Sequence, residues 1–167
     1  GRNVRRLIHK PRAIEQDLCA VAARHGIRFI GPNCIGVINW ENGMSSPFTG
    51  IKSSLRVGGI SLVTQSGGVG LSILHHLENE NLGINKFISA GNMLDVTTED
   101  LLEYLIEDPN TTTIFLYLEG IQDGPRLMRI ARRSPKPILC FKGNVGVLGK
   151  KIAASHTASM SSDDRVV

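Results

Sequence analysis

A parallel β-sheet covered by helices on both faces is the fold class that this 167-residue sequence predicts. Three observations carry that expectation. Short apolar runs rich in β-branched residues alternate with helical patterns of ten or so residues. The helices carry their own start and stop residues: Thr97 with Asp100 three positions on, Pro125 at an opening, Pro109 and Pro135 at ends. Each of the four central strand runs closes on a glycine beside a polar or charged residue, as a tight strand-to-helix turn requires. Together these describe a flavodoxin-like, doubly wound α/β sheet.

In chain order, Pro11 sets up a helix from about Arg12 to His25, with Ile14, Leu18, Val21 and Ala22 on one face and Gly26 as its stop. Ile27 to Ile30 reads as a short strand, followed by Gly31-Pro32-Asn33-Cys34 and a second apolar piece from Ile35 to Ile38. This unit reads as the tail of an α/β domain whose beginning is missing. The stretch that follows, 41–56, is rich in Ser, Gly and Asn and reads as a linker or ordered loop. From residue 57 onward the pattern becomes regular. Gly59–Thr64 is a strand, and Val69, Ile73, Leu74 and Leu77 form a helix face. Lys86–Ala90 is the next strand, and Leu101, Leu102, Leu105 and Ile106 line the next helix. Thr113–Leu118, a helix with Leu127, Met128, Ile130 and Ala131, and Ile138–Phe141 complete the series.

Composition narrows the class. Hydrophobic content of 41% and charged content of 20% belong to a globular protein with a real core. A formal charge of +4 does not point to nucleic acid, and no apolar run approaches the roughly 18 residues of a membrane span. Three cysteines without zinc-type spacing point to a reducing, cytoplasmic setting. The chain starts without Met and reads as a fragment of something longer.

In a parallel sheet the loops after the strands gather on one edge, where ligands bind. Four loops fall there: Gln65-Ser66-Gly67-Gly68, Gly91-Asn92, Glu119-Gly120 and Lys142-Gly143, the last running on to His156. Ser66-Gly67-Gly68 opens a helix, whose unpaired amides and roughly half positive charge favour an anion such as phosphate. A glycine-rich turn that binds nothing is the plainer reading of the same residues. His156 stands in a run of small residues with no apolar period to bury it, which suits a ring nitrogen that accepts a phosphoryl group. Glu119 is the candidate acceptor for the other ring N–H, fixing the tautomer; its plainer reading is a solvated loop residue. Asn92 and Asp95 are possible supports, Asp95 either beside the histidine or as a brace for the turn after it. Lys142 reads equally as a phosphate contact or a strand-end lysine. His75-His76 point away from each other on a helix and form no metal site, and Cys34 reads as a small buried apolar residue.

The ordered series Gly31-Pro32-Asn33-Cys34-Ile35-Gly36, Val63-Thr64-Gln65-Ser66-Gly67-Gly68, Ile88-Ser89-Ala90-Gly91-Asn92 with Asp95, Leu116-Tyr117-Leu118-Glu119-Gly120-Ile121 and Ala154-Ser155-His156-Thr157 resembles the NDP-forming acyl-CoA synthetases. That superfamily comprises ADP-forming acetyl-CoA synthetases and succinyl-CoA synthetase α-subunits. The resemblance implies that residues 1–40 are the C-terminal part of a CoA-binding Rossmann-like domain, 41–56 a linker, and 57–167 most of a flavodoxin-like ligase domain. It implies that His156 is phosphorylated, that Glu119 orients it, and that Ser66, Gly67 and Gly68 hold phosphate. Gly31, Pro32 and Asn33 would lie near the CoA thiol end. It also implies coenzyme A, a carboxylic acid or acyl-CoA and phosphate as small-molecule partners. ATP or ADP with Mg2+ would sit on a separate ATP-grasp domain or β subunit, in an oligomer that needs neither nucleic acid nor membrane. Ala158 stands where the family's loop carries glycine. Two other readings remain: the ligase-like sensor region of a protein lysine acetyltransferase, and a non-catalytic CoA- or nucleotide-binding module.

Overall fold

The computed structural model describes residues 2–51 and 55–144, with side chains in the first helix from residue 13 onward. Helix α1 (Arg2–His25) precedes a small hairpin, β1 (Val37–Asn39) and β2 (Met44–Ser45). The alternating series follows: β3 (Val57–Thr64), α2 (Gly67–Asn79), β4 (Ile84–Ser89), α3 (Thr98–Glu107), β5 (Thr113–Leu118), α4 (Gly124–Arg133) and β6 (Ile138–Lys142).

The six strands form one sheet in the order β2-β1-β4-β3-β5-β6. β4, β3, β5 and β6 run parallel, whereas β1 joins the edge of β4 antiparallel. Register places Leu62 beside Phe87 and Phe115, and Val63 beside Ile88 and Leu116. Because successive strand residues face opposite ways, these two sets build two cores. Leu62, Phe87 and Phe115 pack with Leu74 and Leu77 of α2. On the other face Val63, Ile88 and Leu116 pack with Leu101, Leu102 and Leu105 of α3 and Leu127 and Ile130 of α4. Burying each such side chain contributes roughly 1.5–3 kcal/mol. The connection from β3 steps one way along the sheet and the later two step the other, which puts their helices on opposite faces.

Local chemistry sets the element ends. Thr97 caps α3 by accepting from the Asp100 amide at 3.3 Å, while the Asp100 carboxylate accepts from the Thr97 amide at 3.0 Å. Asp123 caps α4 ahead of Pro125.

Three expectations need correction. The α1 backbone begins at Arg2 and runs through Pro11 rather than starting at Arg12. Of its expected buried face only Ala22 is buried; Ile14 is 67% exposed, Leu18 40% and Val21 48%. Residues 27–30 form no strand, since their backbone bonds are isolated: Ile27 N–H to the Ala22 carbonyl at 2.9 Å, Phe29 N–H to the Asp95 carboxylate at 2.7 Å and Val96 N–H to the Phe29 carbonyl at 3.2 Å. The stretch 41–56 contains β2, which pairs with β1.

Candidate functional site

Two neighbouring strands at the centre, β3 and β5, send their connections in opposite directions, so a crevice opens between the loops at their carboxyl ends. One bank is the turn from Gln65 to Gly68. Ser66 caps α2 with extended backbone (φ −99°, ψ 120°) and accepts from the Val69 amide at 3.4 Å. The Thr64 hydroxyl donates to the Ser66 carbonyl at 2.6 Å and fixes the turn. Among the described residues the Gly67 and Gly68 amides have no acceptor. A helix start in that state favours an anion. A side chain at Gly67 would reach within 2.6 Å of Ile35 Cδ1, whereas Gly68 faces open space.

The other bank is the loop after β5. Glu119 is half-buried, and burial pushes its carboxyl above the ordinary range, with the Lys142 charge acting in the opposite direction. Lys142 Nζ donates to the Glu119 carbonyl at 2.9 Å and the Gly143 carbonyl at 2.8 Å. Its ammonium is therefore committed to holding two strand-end loops together.

Residues 27–36 run alongside the loop after β4. Leu94 N–H donates to the Gly31 carbonyl at 3.0 Å, and Asn92 N–H to that of Pro32 at 2.9 Å. Ile35 N–H donates to the Ser89 hydroxyl at 3.0 Å. Asn33 Nδ2 donates to Asn92 Oδ1 at 3.2 Å, and Asn92 Nδ2 to Glu15 at 3.3 Å. Asp95 braces the same seam, accepting from Arg28 Nε at 2.8 Å and the Phe29 amide at 2.7 Å. Gly91 has φ +58°, and a Cβ there would strike the Pro32 and Asn33 carbonyls. The predicted Gly31-Pro32-Asn33 turn is thereby knitted to the sheet edge, and Ile35 carries it to the anion turn.

Ser66, Gly67, Gly68 and Glu119 thus share one edge of the sheet, at the carboxyl ends of adjacent strands β3 and β5, with Asn92 and Asp95 in the loop after β4, Lys142 at the end of β6, and Gly31, Pro32 and Asn33 bonded to that β4 loop. His156 lies outside the described residues. Burial raises the Cys34 thiol above its ordinary range, as suits a small packed side chain rather than a nucleophile. One residue escaped the sequence reading except as part of a loop: Gln65, only 7% exposed, whose side-chain oxygen accepts from both the Glu119 and Gly120 amides. Its partners lie 54 and 55 positions away, so no local pattern announces them.

Sheet order and crevice chemistry together define the class: a doubly wound, flavodoxin-type domain pairing a helix amino terminus with a half-buried carboxylate. Residues 57–167 match the family described as succinyl-CoA ligase like flavodoxin domain, and the chain belongs to that family. The α subunit of the ADP-forming acetate–CoA ligase II of Pyrococcus furiosus is 36% identical over 149 residues, covering 88% of this chain and 32% of that subunit. The ADP-forming acetate–CoA ligase of Methanocaldococcus jannaschii is 37% identical over 153 residues, 90% of this chain and 21% of the relative. Among solved structures, the dinucleotide forming acetyl-coenzyme A synthetase 1 of Ca. Korarchaeum cryptofilum, in complex with phosphate and ADP, matches with a TM-score of 0.82. Identity is 32%, over 90% of this chain and 33% of that one. The chain spans about a third or less of the length of these relatives.

Proposed function

We propose that this chain is the part of an NDP-forming acyl-CoA synthetase that holds the phosphate crevice and the phosphohistidine loop. The single observation that supports the reading is the placement of a helix-opening glycine turn and of Glu119 at the carboxyl ends of adjacent strands at the switch point. Residues 1–40 are read as the end of the CoA-binding domain, 41–56 as the connection, and 57–167 as the ligase domain.

In this reaction phosphate attacks the acyl carbonyl of acyl-CoA, the C–S bond breaks, and acyl phosphate and CoA result. A ring nitrogen of His156 then takes the phosphoryl group as the carboxylate leaves. The nucleoside diphosphate, bound with Mg2+ on an ATP-grasp domain or β subunit, accepts that group and becomes the triphosphate. Splitting the transfer through a covalent intermediate replaces one difficult step with two easier ones. The Gly67 and Gly68 amides and the Ser66 hydroxyl stabilise the phosphate charge, and the fixed dipoles need no reorganisation during transfer. Glu119, as carboxylate, accepts from the remaining ring N–H and leaves the attacking nitrogen unprotonated. Gly31, Pro32 and Asn33 present backbone to the thioester end, while Asn92, Asp95 and Lys142 hold the loops in place.

The test is labelling of the full-length protein with its ATP-grasp partner, γ-labelled ATP and Mg2+. An acid-labile, base-stable phosphate should appear and should vanish in His156→Ala. An unlabelled wild type in that assay contradicts the reading and favours a sensor or a non-catalytic binding module.

A further inference from the structure

Resting on that reading, we propose that Gln65 is a positioning residue, coupling the anion turn to Glu119 across the crevice. Its backbone N–H donates to the Tyr117 carbonyl at 3.1 Å, securing the base of β3 to β5 where the crevice opens. Its side-chain oxygen accepts from the Glu119 amide at 2.7 Å and the Gly120 amide at 2.8 Å. Its side-chain nitrogen donates to the Gly120 carbonyl at 2.8 Å and to the Thr98 hydroxyl at 3.3 Å. Flipping the amide would set two donors against two donors, so the network admits one orientation.

This arrangement has two chemical consequences. The Glu119 and Gly120 amides are already occupied, so the loop after β5 offers its carboxylate rather than an anion hole. Phosphate recognition therefore falls to the Ser66-Gly67-Gly68 turn. Gln65 also precedes Ser66 directly, so one buried side chain sets the position of the carboxylate relative to that turn. Displacing a reacting group by about 1 Å is enough to cost about a hundredfold in rate. Its neighbours Met93 and Thr98, from the loop after β4 and the start of α3, close the remaining side of the amide.

The experiment is a double-mutant cycle on the full-length enzyme, reading the single-turnover rate of phosphate incorporation per folded molecule. Gln65→Met keeps the volume but removes the hydrogen bonds, and Glu119→Gln removes the carboxylate. If Gln65 works through Glu119, Gln65→Met slows wild type by about a hundredfold and slows the Glu119→Gln enzyme far less. Gln65→Glu supplies a second variant should Gln65→Met fail to fold. Its protonated acid mimics the amide, so its rate relative to wild type should decline as pH rises and that acid ionises. Equal slowing in both Glu119 backgrounds overturns the role of Gln65 while leaving the ligase reading intact. A wild type that takes no label overturns both.

Discussion

The two ends of the sheet bury polar groups in opposite ways. Near the amino ends of β4 and β5, Lys86 is 4% exposed and meets Asp108 at 2.7 Å and Glu41 at 3.2 Å. Asn85 adds a bond to Asp108 at 3.1 Å, and the Ser61 and Thr111 hydroxyls lie 2.8 Å apart. Burial alone would lower the Lys86 pKa, but hydrogen bonds to Asp108 and Glu41 outweigh it and raise it. Burial alone would raise Asp108, yet its bonds to Lys86 and Thr111 bring it below the ordinary range. At the carboxyl ends burial prevails, and Glu119 is left raised. A buried charge matched within the fold is costly to leave unmatched, whereas a carboxylate whose oxygens have no partner among the described residues is free to engage a group arriving from elsewhere.

The largest effect that sharpens this contrast is Lys86→Met. It leaves Asp108 buried without its cation and should cost about 3–5 kcal/mol in denaturant unfolding. A loss within that of an ordinary surface change would mean the pair is solvated and the contrast false.

A smaller effect concerns the sign of the pH dependence. Asp108 has a depressed pKa, so its contribution is present above its ordinary 3.8 and is lost as pH falls through the folded value. Glu119 has a raised pKa, so the fold binds its proton more tightly, and stability falls as pH rises from 4.5 through the folded value. Glu119→Gln removes that term, so the variant should gain stability relative to wild type across the same rise. Thermal melts at pH 4.5 and pH 7 check this, and a constant difference between the two proteins would contradict it.

The alternating core was legible because each central strand and helix carries its own period and punctuation, as Thr97 with Asp100 and Pro125 at the start of α4 illustrate. The β1–β2 hairpin was not, since strands of three and two residues are too short to show alternation, although Asn42-Gly43 before β2 is a turn signal. Residues 27–30 looked like a strand by composition, but a strand needs a ladder, and their bonds go to the end of α1 and to Asp95 and Val96 of the loop after β4. The common sheet edge of Ser66, Gly67, Gly68 and Glu119 could be read because parallel strands bring their carboxyl ends together. Gln65 and Lys86 could not be weighed, because their roles lie in partners contributed by distant strands and helices.

The most direct measurement is a crystal structure of the full-length protein with phosphate. The account predicts the anion on the Gly67 and Gly68 amides, with the His156 ring between it and the Glu119 carboxylate. Phosphate bound elsewhere, with that turn empty and Glu119 facing solvent, would contradict it.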